Sequence, residues 1–253
     1  MRAVLVVKNG VEINDIEIPE PKSNEVLVKV FACGLNRADL MVADGGVHGA
    51  LGGSGTIVGM EFSGEVVNFG NEVKELSIGD RVMCSGSSAW AEYAITDWGR
   101  VIKIPDNNMD FDTACTYPIA LGTMHNAIIT TGEFTKGQSI LIQGASSGVG
   151  MMGLQIAKYM QAQIIIGTST KTEKHDKLKQ MGADVIFNSK DPSWVDEVLN
   201  LTNGEGVDLI VDQLSGYTVN QNMHATKVKG NIVNVGRLAG GQTNFNCDLR
   251  SMH

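Results

Sequence analysis

The sequence contains no basic block. Its nearest approach is Lys171–Lys179, which is interrupted by Glu173 and Asp176, and the formal net charge is −8. An acidic chain without a cationic cluster is unsuited to nucleic acid or to an anionic membrane surface. No apolar run approaches the about 18 residues that a bilayer span needs. The opening stretch MRAVLVVKNG is too short and too soon interrupted to read as a signal peptide. Cysteine is sparse: Cys33, Cys84, Cys115 and Cys247 stand far apart. They show neither metal-ligand spacing nor a disulfide framework. These absences leave a cytoplasmic protein with no nucleic-acid or membrane partner as the expectation.

Aromatics are only 6% of the 253 residues, whereas glycine numbers 30 and 43% of the chain is hydrophobic. That mix suits an α/β protein with tight turns and a large core. Residues 1–120 hold short β-like runs at Arg2–Val7, Glu25–Ala32, Phe62–Asn68, Arg81–Cys84 and Ala91–Ile95. They are punctuated by Pro19, Pro21, Asn9-Gly10 and Gly79-Asp80. This reads as a mostly antiparallel β domain. Residues 121–253 alternate strand and helix signals. Strands are expected at Ser139–Ile142, Ile164–Ile166, Val185–Phe187, Asp208–Val211 and Asn231–Val235. Helices are expected at Val149–Met160, Thr172–Met181, near Ser193–Leu201 and near Tyr217–Val228. Strand–helix repetition of this kind predicts a doubly wound parallel sheet.

Between the first such strand and its helix lies Gly144-Ala145-Ser146-Ser147-Gly148-Val149-Gly150. A helix start presents unpaired N–H groups and the positive end of a dipole, which suits a diphosphate. Glycines let the backbone approach it closely. Gly144, Ser146, Ser147, Gly148 and Val149 are therefore candidate cofactor contacts. A lone glycine motif could be merely structural, but the βαβ context on both sides argues for a dinucleotide. In NAD-binding sheets an acid about 20 residues further on binds the ribose. Here that edge reads Gly167-Thr168-Ser169-Thr170-Lys171, with Lys174 one turn later and no acid. Hydroxyls and ammonium groups suit a 2′-phosphate, so NADPH is expected, with Thr168, Ser169 and Lys174 at its adenosine end. Either lysine alone is better explained as the exposed start of a helix.

The stretch Cys33-Gly34-Leu35-Asn36-Arg37-Ala38-Asp39-Leu40 resembles a signature of the quinone reductases in the medium-chain dehydrogenase/reductase superfamily. The same family is matched, in order, by Gly59-Met60-Glu61-Phe62-Ser63-Gly64, Gly79-Asp80-Arg81-Val82, Ala91-Glu92-Tyr93, the glycine turn and Gly182-Ala183-Asp184. The resemblance implies a GroES-like catalytic domain (1–120) followed by a Rossmann NADPH-binding domain (121–253), with the active site between them. Where the alcohol-dehydrogenase branch places two zinc ligands, this chain has Asn36 and Met60, which are poor zinc ligands. It therefore implies zinc-free hydride transfer from NADPH to an electron-poor carbonyl acceptor, a small-molecule quinone or enone. In that scheme Asn36 is the catalytic candidate, although asparagine is also an ordinary cap for the helix begun by Arg37. Thr123 would lie near the nicotinamide, and Val235 and Gly236 would meet the cofactor at the end of the fifth strand. His48 is a weaker candidate for a proton donor. His125, placed at a helix start, reads as packing or capping. The resemblance further implies chain beyond Phe245-Asn246-Cys247-Asp248, holding the last sheet strand and a dimer-forming strand, so a homodimer is expected for a full-length form.

Three other readings compete. One is a zinc enzyme with unusual ligands, which metal analysis would decide. A short-chain dehydrogenase would need a Tyr-x-x-x-Lys pair, but Tyr159 and Tyr217 are followed at that spacing by Gln163 and Gln221. A non-catalytic NADPH-binding redox sensor, or a structural protein of crystallin type, stays open because a fold does not fix a function.

Overall fold

A computed structural model describes residues 1–49, 51–105 and 108–238. Phe245–Asp248, with Cys247, lies outside the described residues. The chain divides into two units, Met1–Ile119 and Ala120 onward.

In the first unit, β1 (Arg2–Val7) and β2 (Gly10–Asp15) form a hairpin around Lys8-Asn9. Gly10 sits at φ +114°, which a residue with a side chain rarely adopts. β3 (Glu25–Cys33) leads through Asn36 into α1 (Arg37–Ala43). The pair β4 (Val47–His48) and β5 (Leu51–Gly52) follows, and then β6 (Glu61–Phe69), β7 (Arg81–Ser85), β8 (Tyr93–Asp97), β9 (Val101–Lys103) and α2 (Phe111–Ala114). The sheet order is β8-β3-β6-β7-β9, antiparallel throughout. Val26 and Val28 of β3 bury against Phe62, Val66, Val82, Cys84 and Ala94. Alternate residues of each strand thus fill one core, as the period of two requires.

α3 (Pro118–His125) carries the chain into the second unit and continues as a π-helical segment, Asn126–Thr131. Then come β10 (Ser139–Ile142), α4 (Gly148–Tyr159), β11 (Ile164–Thr168), a 3₁₀ turn at Thr172–Lys174 and α5 (His175–Gln180). After these come β12 (Val185–Phe187), α6 (Trp194–Leu201), β13 (Val207–Asp212), α7 (Val219–Ala225) and β14 (Thr226–Asn234). The strands are parallel in the order β12-β11-β10-β13-β14. β10 is fully buried: Ile140 and Ile142 face a core with Met124, Leu154, Leu178 and Leu209, while Leu141 faces Ile166, Trp194, Val198 and Ile210. A strand covered on both faces explains its unbroken apolar run. The fold is therefore a GroES-like antiparallel domain plus a Rossmann-type parallel sheet, as the sequence suggests.

Two local expectations fail. The helix expected near Tyr217–Val228 ends at Ala225, and β14 begins at Thr226 rather than Asn231. β-branched Thr226 and Val228 favour extended backbone, and Thr226 pairs with Val207. Lys229 at φ +65° then bulges the strand before Asn231 pairs with Leu209. Likewise, Thr123 and His125 lie at the C-terminal end of α3, not at a helix start.

Candidate cofactor and active site

The parallel sheet reverses its winding between β10 and β13, and in such sheets ligands bind where these two strands end. The glycine turn follows β10 there. Gly144 takes φ +69°, and Gly150 packs so tightly that a Cβ would lie 2.5 Å from Gly144 O. A Cβ on Gly148 would meet nothing within 4 Å, so the space in front of the helix start is open. Ser147 caps α4: its Oγ accepts the Gly150 N–H at 2.9 Å and donates toward Gly144 O at 2.9 Å and Gln213 Oε1 at 3.0 Å. The amides of Ser146, Gly148 and Val149 have no acceptor among the described residues. Three donors around open space at the start of a twelve-residue helix fit an anionic diphosphate.

The edge of β11 departs from expectation in one respect. Thr168 is fully buried. Its hydroxyl accepts the Gly144 N–H at 3.2 Å and donates to Gln143 Oε1 at 2.6 Å. It is spent inside the protein, holding the turn from behind. Ser169 is also buried, and its Oγ lies 3.0 Å from that of half-exposed Ser146 while accepting the Lys171 N–H. Lys174 is exposed on the 3₁₀ turn and makes no ion pair with a described residue. Val235 donates its N–H to Asp212 O at 2.8 Å, and Gly236 approaches so closely that a Cβ would lie 3.0 Å from Gln213 O. The structure thus gathers Gly144, Ser146, Ser147, Gly148, Val149, Val235 and Gly236 about the ends of β10 and β13. Thr123 is half-buried on α3.

Sequence reasoning missed the side chains behind this turn. Gln143, Gln213, Asp212 and Asn222 are all buried. Gln143 Nε2 donates to Asn222 Oδ1 at 2.8 Å, and Asn222 Nδ2 donates to Asp212 Oδ2 at 2.9 Å. Asp212 Oδ1 accepts the N–H groups of Leu214 and Ser215 at 2.8 and 3.0 Å. The available signal was that Gln143 and Asp212-Gln213 directly follow the apolar triplets Ile140-Leu141-Ile142 and Leu209-Ile210-Val211.

In the first unit, Asn36 occupies the N-cap position of α1 in extended conformation. Its backbone N–H donates to Asp39 Oδ2 at 2.7 Å, and its Nδ2 donates to Glu61 Oε1 at 2.8 Å. Glu61 Oε2 accepts the Ile119 N–H at 2.9 Å. Glu61 and Asp39 are both buried, and Asp39 Oδ1 has no partner among the described residues. Burial pushes the Glu61 carboxyl above its usual range, against the opposing hydrogen bonds from Ile119 and Asn36, and the Asp39 charge adds to the rise. Burial raises Asp39 in the same way. Gly34 allows this packing: a Cβ there would lie 2.5 Å from Glu61 Oε1 and 2.7 Å from Cys115 O. Burial lifts the Cys115 thiol to about 11, with neighbouring Glu61 contributing. His48 is exposed on β4. Among the described residues no three His, Cys, Asp or Glu side chains gather as metal ligands.

Residues 22–106 match the alcohol dehydrogenase GroES-like domain, and residues 148–252 match the family described as zinc-binding dehydrogenase. Among solved structures, a human synaptic vesicle membrane protein VAT-1 homolog-like protein is 31% identical, with a TM-score of 0.79 over 92% of this chain and 72% of that one. The CurK enoyl reductase is 26% identical, with a TM-score of 0.86 over 94% and 74%. A mycobacterial quinone oxidoreductase is 26% identical, with a TM-score of 0.87 over 100% and 78%. A mycobacterial protein complexed with NADPH gives 25% and 0.86 over the same shares. A highly reducing polyketide synthase of Didymella fabae is 35% identical over 85% of this chain and 11% of its own length. The chain spans about a tenth of the length of the curated relatives it matches. The chain belongs to the medium-chain dehydrogenase/reductase superfamily, an oxidoreductase family, on its quinone-oxidoreductase-like branch.

Proposed function

We propose that this chain is an NADPH-dependent oxidoreductase that delivers hydride to an electron-poor carbonyl acceptor, a quinone or enone, without zinc. The observation that carries the reading is the Gly144–Gly150 turn, with free amides at Ser146, Gly148 and Val149 facing open space at the start of α4. Those amides would hold the diphosphate. The Ser146 hydroxyl and Lys174 would hold the 2′-phosphate, with Ser169 orienting Ser146 and Thr168 shaping the turn. Val235, Gly236 and Thr123 would border the nicotinamide end. The mycobacterial NADPH complex supports the cofactor, and the quinone oxidoreductase and enoyl reductase relatives support the acceptor class.

When bound, NADPH supplies the hydride. Asn36 has a second Nδ2–H that makes no hydrogen bond to a described residue, and we assign it to the acceptor carbonyl oxygen. Glu61 fixes the orientation of its side chain, and Asp39 holds its backbone N–H. Asn36 and Met60 offer an amide and a thioether where relatives on the zinc branch carry ligands, so polarisation of the carbonyl falls to hydrogen bonding. The reading implies a cytoplasmic enzyme, with a homodimer for a full-length form.

The test is NADPH consumption, followed optically, with 9,10-phenanthrenequinone and with a simple enone, together with metal analysis of the purified protein. Turnover with either acceptor in zinc-free protein is expected. Cofactor binding without turnover on any quinone or enone would favour the non-catalytic reading, and stoichiometric zinc would overturn the role given to Asn36.

A further inference from the structure

The hydrogen bonds behind the glycine turn form one directional chain. Gly144 N–H donates to Thr168 Oγ1 at 3.2 Å, and Thr168 donates to Gln143 Oε1 at 2.6 Å. Gln143 Nε2 donates to Asn222 Oδ1 at 2.8 Å, and Asn222 Nδ2 donates to Asp212 Oδ2 at 2.9 Å. Every donor points toward the carboxylate, and all four side chains are essentially without solvent exposure. A second branch holds the other side of the turn. Gln213 Nε2 donates to Gln143 O at 3.0 Å, while its Oε1 faces the Ser147 hydroxyl that caps α4. The residues come from the ends of β10, β11 and β13 and from α7, so the relay ties three neighbouring strand ends to one glycine peptide.

We propose that Asp212, Asn222 and Gln143 are positioning residues for the phosphate-binding turn, acting through Thr168 to fix the Gly144 peptide so that the free amides of the turn stay aimed at a diphosphate. The proposal rests on the cofactor reading above. Neutral buried groups at correct hydrogen-bond distance have one low-energy arrangement, and breaking any link strands a buried donor or acceptor. The terminal charge is needed to anchor the chain. The three neutral side chains stand between the carboxylate and the Gly144 peptide in the order of bonding, so no carboxylate bonds to the turn itself, where it would repel a phosphate. The relay therefore supplies rigidity without a carboxylate bonded to the turn.

The test uses the whole chain as Asn222→Leu, which cuts the relay in its middle, and Thr168→Val, which removes only the last hydroxyl at nearly constant shape. Thr168→Ser restores that hydroxyl. Exchange of the bonded amides of the turn, Gly144, Ala145 and Ser147, in unliganded protein is expected to quicken about tenfold in the first two variants and to return to normal in Thr168→Ser. The NADPH Kd should rise about tenfold in the same two variants, while that of adenosine 2′,5′-bisphosphate, which lacks the diphosphate bridge, changes less than about twofold. Unchanged exchange in a folded variant, or equal weakening of both ligands, overturns the proposal. Wild-type protein that binds neither ligand sinks the cofactor reading and the functional half of this one, and the exchange experiment still decides whether the relay stiffens the turn.

Discussion

In the first unit, the candidate residue touches carboxylates directly: the Asn36 side chain donates to Glu61 at 2.8 Å and its backbone N–H donates to Asp39 at 2.7 Å. In the second, the nearest buried carboxylate, Asp212, is separated from the glycine turn by Asn222, Gln143 and Thr168. The difference follows from what each place has to face. An amide that donates to a carbonyl gains from an anion behind it, because the anion fixes its orientation. A turn that binds phosphates gains nothing from a nearby anion. One unit therefore keeps its acids in contact, and the other keeps its acid at the far end of a neutral chain.

The largest expected effect comes from steric damage to the phosphate turn. Gly150→Ala would drive a Cβ into Gly144 O and Ala145 backbone at 2.5–2.9 Å, neither of which can yield cheaply. Denaturant titration should show a loss of about 3 kcal/mol, with NADPH binding abolished. Gly148→Ala sharpens the point. Its Cβ meets nothing within 4 Å, so the protein should melt as wild type while fluorescence titration shows NADPH binding weakened about tenfold. Unchanged NADPH binding in Gly148→Ala would mean that the space in front of α4 is not a ligand site.

Next in size is Asn36→Ala. Removing a donor to the developing oxyanion costs about a hundredfold in kcat, whereas NADPH affinity should hold within about twofold. Stopped-flow reduction and equilibrium titration on the same sample separate the two. Equal loss in both would reduce Asn36 to a helix cap.

The smallest effects concern pH, and they differ in sign between two carboxyls, Glu61 of the first unit and Asp208 of the second. Glu61 is raised above its ordinary value of 4.5 by burial, so its native form binds protons more tightly than the unfolded chain does. Its contribution to stability should fall as pH rises from below 4.5 through its raised native value, and Glu61→Gln should remove that slope. Asp208, in the second unit, is held below 3.8: hydrogen bonds from Ser139 N–H and hydroxyl, aided by Lys227, overcome the opposing effect of burial. Its contribution is present above 3.8 and is lost as pH falls through the lowered native value, so Asp208→Asn should flatten the acid limb. Urea unfolding across pH checks both. Changes of slope of the same sign on the two substitutions would break the comparison.

Much of this was visible in the sequence, for identifiable reasons. β10 and α4 could be placed because an apolar run followed by glycines at a helix start has few structural solutions. Asn36 stood out through its resemblance to a family signature. The relay was not legible. Gln143 and Asn222 are 79 residues apart, and a bond between neutral buried side chains leaves no periodic trace in sequence. Thr168 was misjudged for a related reason: a hydroxyl at a strand end suits a ligand and a buried acceptor equally well, and only burial distinguishes them. The early start of β14 at Thr226 was hidden because helical spacing and β-branching conflict there.

The account depends on the anion-binding start of α4 accepting a dinucleotide whose adenosine end meets serine hydroxyls and lysine in place of an acid. A side-by-side titration of NADPH and NADH by cofactor fluorescence tests this most directly. NADPH is predicted to bind at least about tenfold tighter, or about 1.4 kcal/mol. Equal affinity, or a preference for NADH, would contradict it.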